Sequence, residues 1–157
     1  MKDKTGVELR VPDRTLLLGY VGSVAHGTHI PSEDPNSIDD IDLMGVCVGD
    51  VNQYLGMRHF EQDIFKQGEW DSVVYEVKKY FSLLLKQNPN VISLLWLDPK
   101  DYVTITTTGE WLIRNRDIFS SKKAYYSFSG YAYGQLHEME HFVFGGYMGA
   151  KRKRLVC

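Results

Sequence analysis

The run Leu16-Leu17-Leu18-Gly19-Tyr20-Val21-Gly22-Ser23-Val24-Ala25-His26-Gly27, followed by Asp40-Ile41-Asp42-Leu43-Met44-Gly45-Val46-Cys47-Val48, decides the fold. Its first six residues form a short apolar run after Pro12 and read as a buried strand. Gly22-Ser23 ends that strand, and Val24–Gly27 read as one helical turn closed by glycine. Residues 28–39 hold two prolines, two serines, an asparagine and several acids, which is loop composition. Asp40–Val48 then reads as a second strand. On a strand, residues i and i+2 share a face with their Cα atoms about 6.5 Å apart, so Asp40 and Asp42 point the same way.

Two carboxylates so placed can converge on one hard cation, or bridge a pair roughly 3.5–4 Å apart. Mg²⁺ suits such a site, because it takes a few carboxylates and completes its shell with water and phosphate oxygens. The Gly-Ser turn complements them: glycine lets a phosphate approach the backbone, the serine hydroxyl donates, and a helix start behind the turn offers N–H groups. Glu33, Asp34, Asp39, Asp40 and Asp42 put five acids into residues 33–42, a mutual repulsion that a divalent cation relieves. Asp34 and Asp39 read as solvated loop acids. Asp40 and Asp42, interleaved with Ile41 and Leu43, sit at the edge of a buried strand, where a charge is costly without a task.

Outward from this stretch, residues 51–57 read as a short helix. His59–Phe65 and Asp71–Tyr75 read as two strands joined around Gly68-Glu69. Glu76–Gln87 carries Val77, Tyr80, Phe81, Leu84 and Leu85 at helical spacing. Asn88-Pro89 stops that helix, and Asn90 is expected to cap another running through Leu97. Val103–Thr106 reads as a β-branched run, Thr108 as the start of a helix to about Asn115, and Ser127–Phe144 as a long aromatic helix broken at Gly145-Gly146. Strands interleaved with helices make the fold class α/β (α+β), a small mixed sheet flanked by helices with a mainly helical C-terminal part.

The chain has 157 residues, 43% hydrophobic and 24% charged, which fits one soluble domain. Its formal net charge of −2 disfavours a histone-like binder of nucleic acid. Two cysteines, Cys47 and Cys157, suggest no disulfide framework. No stretch approaches the roughly 20 apolar residues of a membrane span, and the charged N-terminus leads into no signal-like apolar segment, so a cytoplasmic protein is expected.

The ordered combination of strand, Gly22-Ser23, short turn, loop and Asp40-Ile41-Asp42 resembles the nucleotidyltransferase motif of the DNA polymerase β superfamily. Within it the chain resembles the RNA-ligase-associated predicted nucleotidyltransferases. The likeness continues in Tyr75-Glu76-Val77-Lys78-Lys79-Tyr80-Phe81, Asn88-Pro89-Asn90-Val91 and Gly130-Tyr131-Ala132-Tyr133-Gly134-Gln135-Leu136, covering most of residues 14–136. It implies a nucleotidyltransferase fold, with a catalytic core over residues 1–100 and a helical extension over 101–157. By the same resemblance, Gly22 and Ser23 hold the triphosphate of an NTP such as ATP. Asp40 and Asp42 bind a pair of Mg²⁺ ions, for which Mn²⁺ can substitute, and a third carboxylate completes the site. Asp71 fits that third place by strand parity with Val73 and Tyr75; Glu76 is its rival but looks like a helix-start acid. The implied reaction moves NMP from the NTP to a hydroxyl, an RNA end being the first acceptor to consider, and releases pyrophosphate. The loop before the acids is longer than the family's usual link, with Asp39 where a serine is common. By the same resemblance, relatives usually add a further helical segment beyond the last residues here, so part of the acceptor side is expected to be either missing or supplied by another subunit.

Other signals compete. His137-Glu138-Met139-Glu140-His141 is a literal H-E-x-x-H, which on a helix pairs two histidines for zinc and leaves the glutamate as base. Catalytic zinc takes three protein ligands, and the sixteen residues after His141 offer no Asp, Glu or His as a third, which leaves only an upstream ligand open. A nucleotide-binding or antitoxin-like module of little catalytic power is a further reading. Lys151-Arg152-Lys153-Arg154 reads as a solvated tail, Lys78 and Lys79 as helix-start bases beside the site, and His26 and His29 as neighbours of the Gly-Ser turn. Trp70, Trp96, Trp111, Tyr125, Tyr126, Tyr131 and Tyr133 read as core packing rather than a stacking platform.

Overall fold

Seven residues with a strict two-residue rhythm, Trp70–Glu76, run through the middle of the molecule: Trp70, Ser72, Val74 and Glu76 are buried, and the residues between them half-buried. The computed structural model pairs this segment with a strand on each edge and packs side chains on both of its faces. It describes residues 11–30, 40–67 and 70–144. The strands are β1 (Thr15–Val21), β2 (Ile41–Cys47), β3 (Gln62–Gln67), β4 (Trp70–Glu76) and β5 (Tyr102–Ile105). They form a five-stranded mixed sheet in the order β3-β4-β2-β1-β5. β2 and β4 are parallel at its centre, while β1–β2, β3–β4 and β1–β5 are antiparallel.

The helices are α1 (Gly22–Ala25), α2 (Val51–Leu55), α3 (Val77–Leu85), α4 (Pro89–Ser93), α5 (Thr107–Arg114) and α6 (Lys123–Phe144). One sheet face presents Leu17, Met44 and Val46, which pack with Tyr80 and Leu84 of α3, Val91 of α4, Leu94 and Leu95 of the single turn that follows α4, and Leu112 of α5. The other face carries a smaller cluster of Leu18, Leu43, Cys47, Trp70 and Val74. Residues alternate between these faces because the strand repeat is two. Asp42 and Asp71 therefore share the face of Met44, Val46 and Val73, just beyond the helical layer. Among the described residues, no helix is long and apolar enough to cross a membrane.

The caps of two helices differ from the sequence expectation. Asn88, not Asn90, caps α4 by accepting from the N–H groups of Asn90 and Val91, and Pro89 stands at the first helical position, where its missing N–H is harmless. Thr106, not Thr108, caps α5: its hydroxyl accepts from the Gly109 N–H at 3.2 Å and donates to the Leu16 carbonyl at 2.8 Å, tying the helix start to β1. The aromatic residues also depart from a core role. Trp70 is buried, but Trp96 and Trp111 are exposed, as are Tyr125, Tyr126, Tyr131 and Tyr133. The reason is helical phase: α5 turns Gly109 and Leu112 inward, which leaves Trp111 facing solvent. α6 begins at Lys123, four residues earlier than expected, and holds its tyrosines on exposed faces.

Gln87 braces the end of α3. It is buried with φ +57°, and its amide donates to the carbonyls of Leu84 and Phe119 while accepting from the Ser121 N–H at 3.2 Å.

Candidate active site

The strand registers bring the sequence-predicted acids to one end of the sheet. Asp42 on β2 is the register partner of Val21 on β1 and of Asp71 on β4, and Asp71 is the partner of Lys66 on β3. Register partners on neighbouring strands stand about 4.8 Å apart and face the same way. Asp42, Asp71 and Lys66 thus form one row across three strands, with Gly22 directly after the end of β1. Asp40 lies one turn of the pleat before Asp42, just outside β2.

Gly22 meets this row for two reasons. Its φ is +63°, in the left-handed region that favours glycine, and this sends the chain sharply from β1 into α1. A Cβ at Gly22 would also stand 2.5 Å from Oδ2 of Asp42, so any side chain there forces that carboxylate to shift. The turn itself is pinned through Ser23, whose carbonyl accepts from the N–H groups of Thr28 at 2.9 Å and His29 at 3.1 Å. α1 is a single turn of four residues, too short for the helix dipole to add much to anion binding. What the turn offers instead is polar side chains held out of water. Ser23 Oγ and His29 Nδ1 are buried and have no hydrogen-bond partner among the described residues. A buried polar atom left without a partner costs about 1–3 kcal/mol.

Lys66 stands between two of the acids. Its ammonium lies 3.0 Å from Oδ2 of Asp71 and 3.4 Å from Oδ2 of Asp40. Hydrogen bonds first to Asp71 and then to Asp40 raise the lysine pKa above its ordinary value, so it is a fixed cation at neutral pH. All three groups remain partly open to solvent, and exposed pairs of this kind contribute little to stability. Among the described residues, no group of three or more His, Cys, Asp or Glu side chains is gathered as a metal-ligand set. The donor chemistry still suits a hard divalent cation: oxygen-only carboxylates at adjacent strand ends, with an ammonium already held between two of them.

Glu76 is placed differently from Asp71. It ends β4, about 16 Å along the strand from Asp71 and on the opposite face. It is buried, accepts from the Lys78 and Lys79 N–H groups as the cap of α3, and accepts from the Tyr54 hydroxyl at 2.5 Å. Lys78 and Lys79 share that far end, which overturns their expected place beside the acids. Lys79 pairs with Glu61 at 2.6 Å, and the Lys78 ammonium lies 4.6 Å from the centre of the Tyr54 ring. They line a cleft of about 470 Å³ with Arg58 and His59 that contains none of Asp40, Asp42 and Asp71.

Several sequence signals fall on residues that are not described. Glu33, Asp34, Asp39, the Lys151–Arg154 run and the Gly145-Gly146 break lie outside the described residues. His137 is on α6, while the side chain of His141 is also outside them. Conversely, sequence reasoning passed over Lys66. Two residues separate β3 from β4, and a loop of that length fixes the hairpin register. Counting back from Gln67 opposite Trp70 sets Lys66 against Asp71.

A sequence model described as RlaP, the RNA repair pathway DNA polymerase beta family, matches residues 3–152. No curated protein and no solved structure matches the chain. With the matched span taking in the Gly22-Ser23 turn, the Asp40–Asp42 strand and Asp71 alike, the chain belongs to the RNA repair pathway DNA polymerase beta family and is a DNA polymerase β-like nucleotidyltransferase.

Proposed function

We propose that the protein transfers NMP from an NTP to a hydroxyl at an RNA end, with Asp40, Asp42 and Asp71 as the divalent-metal ligands and Gly22 and Ser23 as the triphosphate contacts. The observation that carries this reading is the row joining Gly22, Asp42 and Asp71, in which Gly22 packs against the Asp42 carboxylate and the next residue, Ser23, holds a buried hydroxyl without a partner among the described residues. The RNA acceptor rests on the family's description as part of an RNA repair pathway.

In the proposed reaction the acceptor oxygen forms a new bond to the α-phosphorus and the bond to the bridging oxygen breaks. Pyrophosphate leaves with that electron pair, and the hydroxyl proton passes to solvent by way of the open edge at Asp71, whose side chain is 37% exposed. Mg²⁺ or Mn²⁺, when bound, supplies Lewis acidity toward the acceptor hydroxyl and the phosphate oxygens. Ser23 donates to a phosphate oxygen from a water-excluded position, where a hydrogen bond to an anion is stronger than in bulk water. Asp42 is held against Gly22, which couples carboxylate placement to phosphate placement.

The test is incubation of the purified protein with each α-labelled NTP and Mg²⁺ on a panel of RNA, tRNA, DNA and protein acceptors. Label joined to an RNA end supports the proposal. Nucleotide binding without transfer to any acceptor would contradict it and favour a binding module.

A further inference from the structure

We propose that Lys66 is a positioning residue that occupies the cation place between Asp40 and Asp71 until it yields to a divalent cation. This rests on the assignment of Asp40, Asp42 and Asp71 as metal ligands. β3 is an edge strand, and its register sets Lys66 against Asp71 rather than against an apolar neighbour. From there the side chain reaches past Asp71 to a second acid, Asp40, just before the start of β2, so its ammonium bridges two carboxylates that a strand's pleat alone does not join.

Two consequences follow from this geometry. Carboxylates crowded at adjacent strand ends repel one another, and a resident ammonium holds Asp40 and Asp71 facing a common point. The same ammonium opposes entry of a second cation at that point, so it must move aside when a divalent ion is held. Its freedom to do so is visible: the Lys66 side chain is 56% exposed on an edge strand, and its four-carbon stem can swing the charge into solvent. Exposed ion pairs are individually weak, so the barrier to displacement is small and the affinity penalty moderate, about three- to tenfold for two such contacts.

The experiment is Mn²⁺ binding without nucleotide, read from the electron paramagnetic resonance signal of free Mn²⁺, for wild type, Lys66→Met, Lys66→Arg and Asp42→Asn. The expected result is tighter Mn²⁺ binding in Lys66→Met by about three- to tenfold, with Lys66→Arg within about twofold of wild type because the competing charge remains. Unchanged or weaker binding in Lys66→Met, with binding still sensitive to Asp42→Asn, overturns the role of Lys66 alone. Binding indifferent to Asp42→Asn overturns the metal-ligand assignment on which it rests. Near-ultraviolet circular dichroism of each variant confirms the native fold before binding is read.

Discussion

Gly22→Ala isolates the contact on which the coupling of phosphate and carboxylate depends. Alanine at φ +63° incurs the left-handed penalty of roughly 1–2 kcal/mol, partly offset by the lower entropy of its unfolded chain. Its Cβ would stand 2.5 Å from Asp42 Oδ2, where ordinary contact begins at 3.4 Å, so the carboxylate must retreat by the difference, about 0.9 Å. Misplacement by about 1 Å commonly costs on the order of 100-fold in rate. Gly27→Ala serves as control, because Gly27 has φ +67° but nothing within 4 Å of an added Cβ. Both variants are expected to lose about 1 kcal/mol, a fall of roughly 2–4 °C in melting temperature for a chain of this size. Only Gly22→Ala should lose NMP transfer, by about 100-fold. Thermal denaturation followed by circular dichroism and initial rates with α-labelled NTP measure the two effects. Equal activity in the two variants would refute the claim that Gly22 sets the position of Asp42.

Other perturbations separate the roles of neighbouring groups. Asp71→Asn is expected to lower transfer by at least about 100-fold with little change in melting temperature, whereas Glu76→Ala should cost about 1–2 kcal/mol of stability by removing the α3 cap and leave transfer within a few-fold; paired rate and denaturation measurements decide. Gln87→Ala strands the Phe119 carbonyl and the Ser121 N–H, so urea unfolding should show a loss of about 2–3 kcal/mol with activity per folded molecule unchanged. Burial, followed by the nearby Glu76 and Asp63 charges, pushes the Cys47 thiol up to about 11. Its thiolate is disfavoured in the folded state, so its contribution to stability is complete below the unfolded value near 9 and is lost as pH rises toward about 11. In a Cys157→Ser background, Cys47 should resist a thiol reagent at pH 8 until the protein unfolds.

Much of the site was legible because strand periodicity is short and strict. The alternation in Asp40-Ile41-Asp42-Leu43 indicated shared direction, and the parity of Asp71, Val73 and Tyr75 did the same on the neighbouring strand. What stayed hidden depended on pairing between strands. Lys66 becomes part of the site only through a hairpin register, and the contact of Gly22 with Asp42 only through a positive φ. Lys78 and Lys79 follow Asp71 closely in sequence but not in space, because a strand of seven residues carries the chain away. Asn90 was preferred to Asn88 because Pro89 was read as the end of one helix, when proline equally suits the first position of the next. The exposed Trp96 and Trp111 show that aromatic content fixes neither helical phase nor the side that meets the core.

The central claim is that this row of residues moves the α-phosphate of an NTP. One measurement addresses it directly: wild type and Asp42→Asn, each given RNA ends and Mg²⁺ with NTP labelled at either the α- or the γ-phosphate. The account predicts α-label on the RNA and γ-label released as pyrophosphate with wild type, and a loss of at least about 100-fold in both with Asp42→Asn. Transfer of the γ-label to RNA, or undiminished α-transfer by Asp42→Asn, would contradict it.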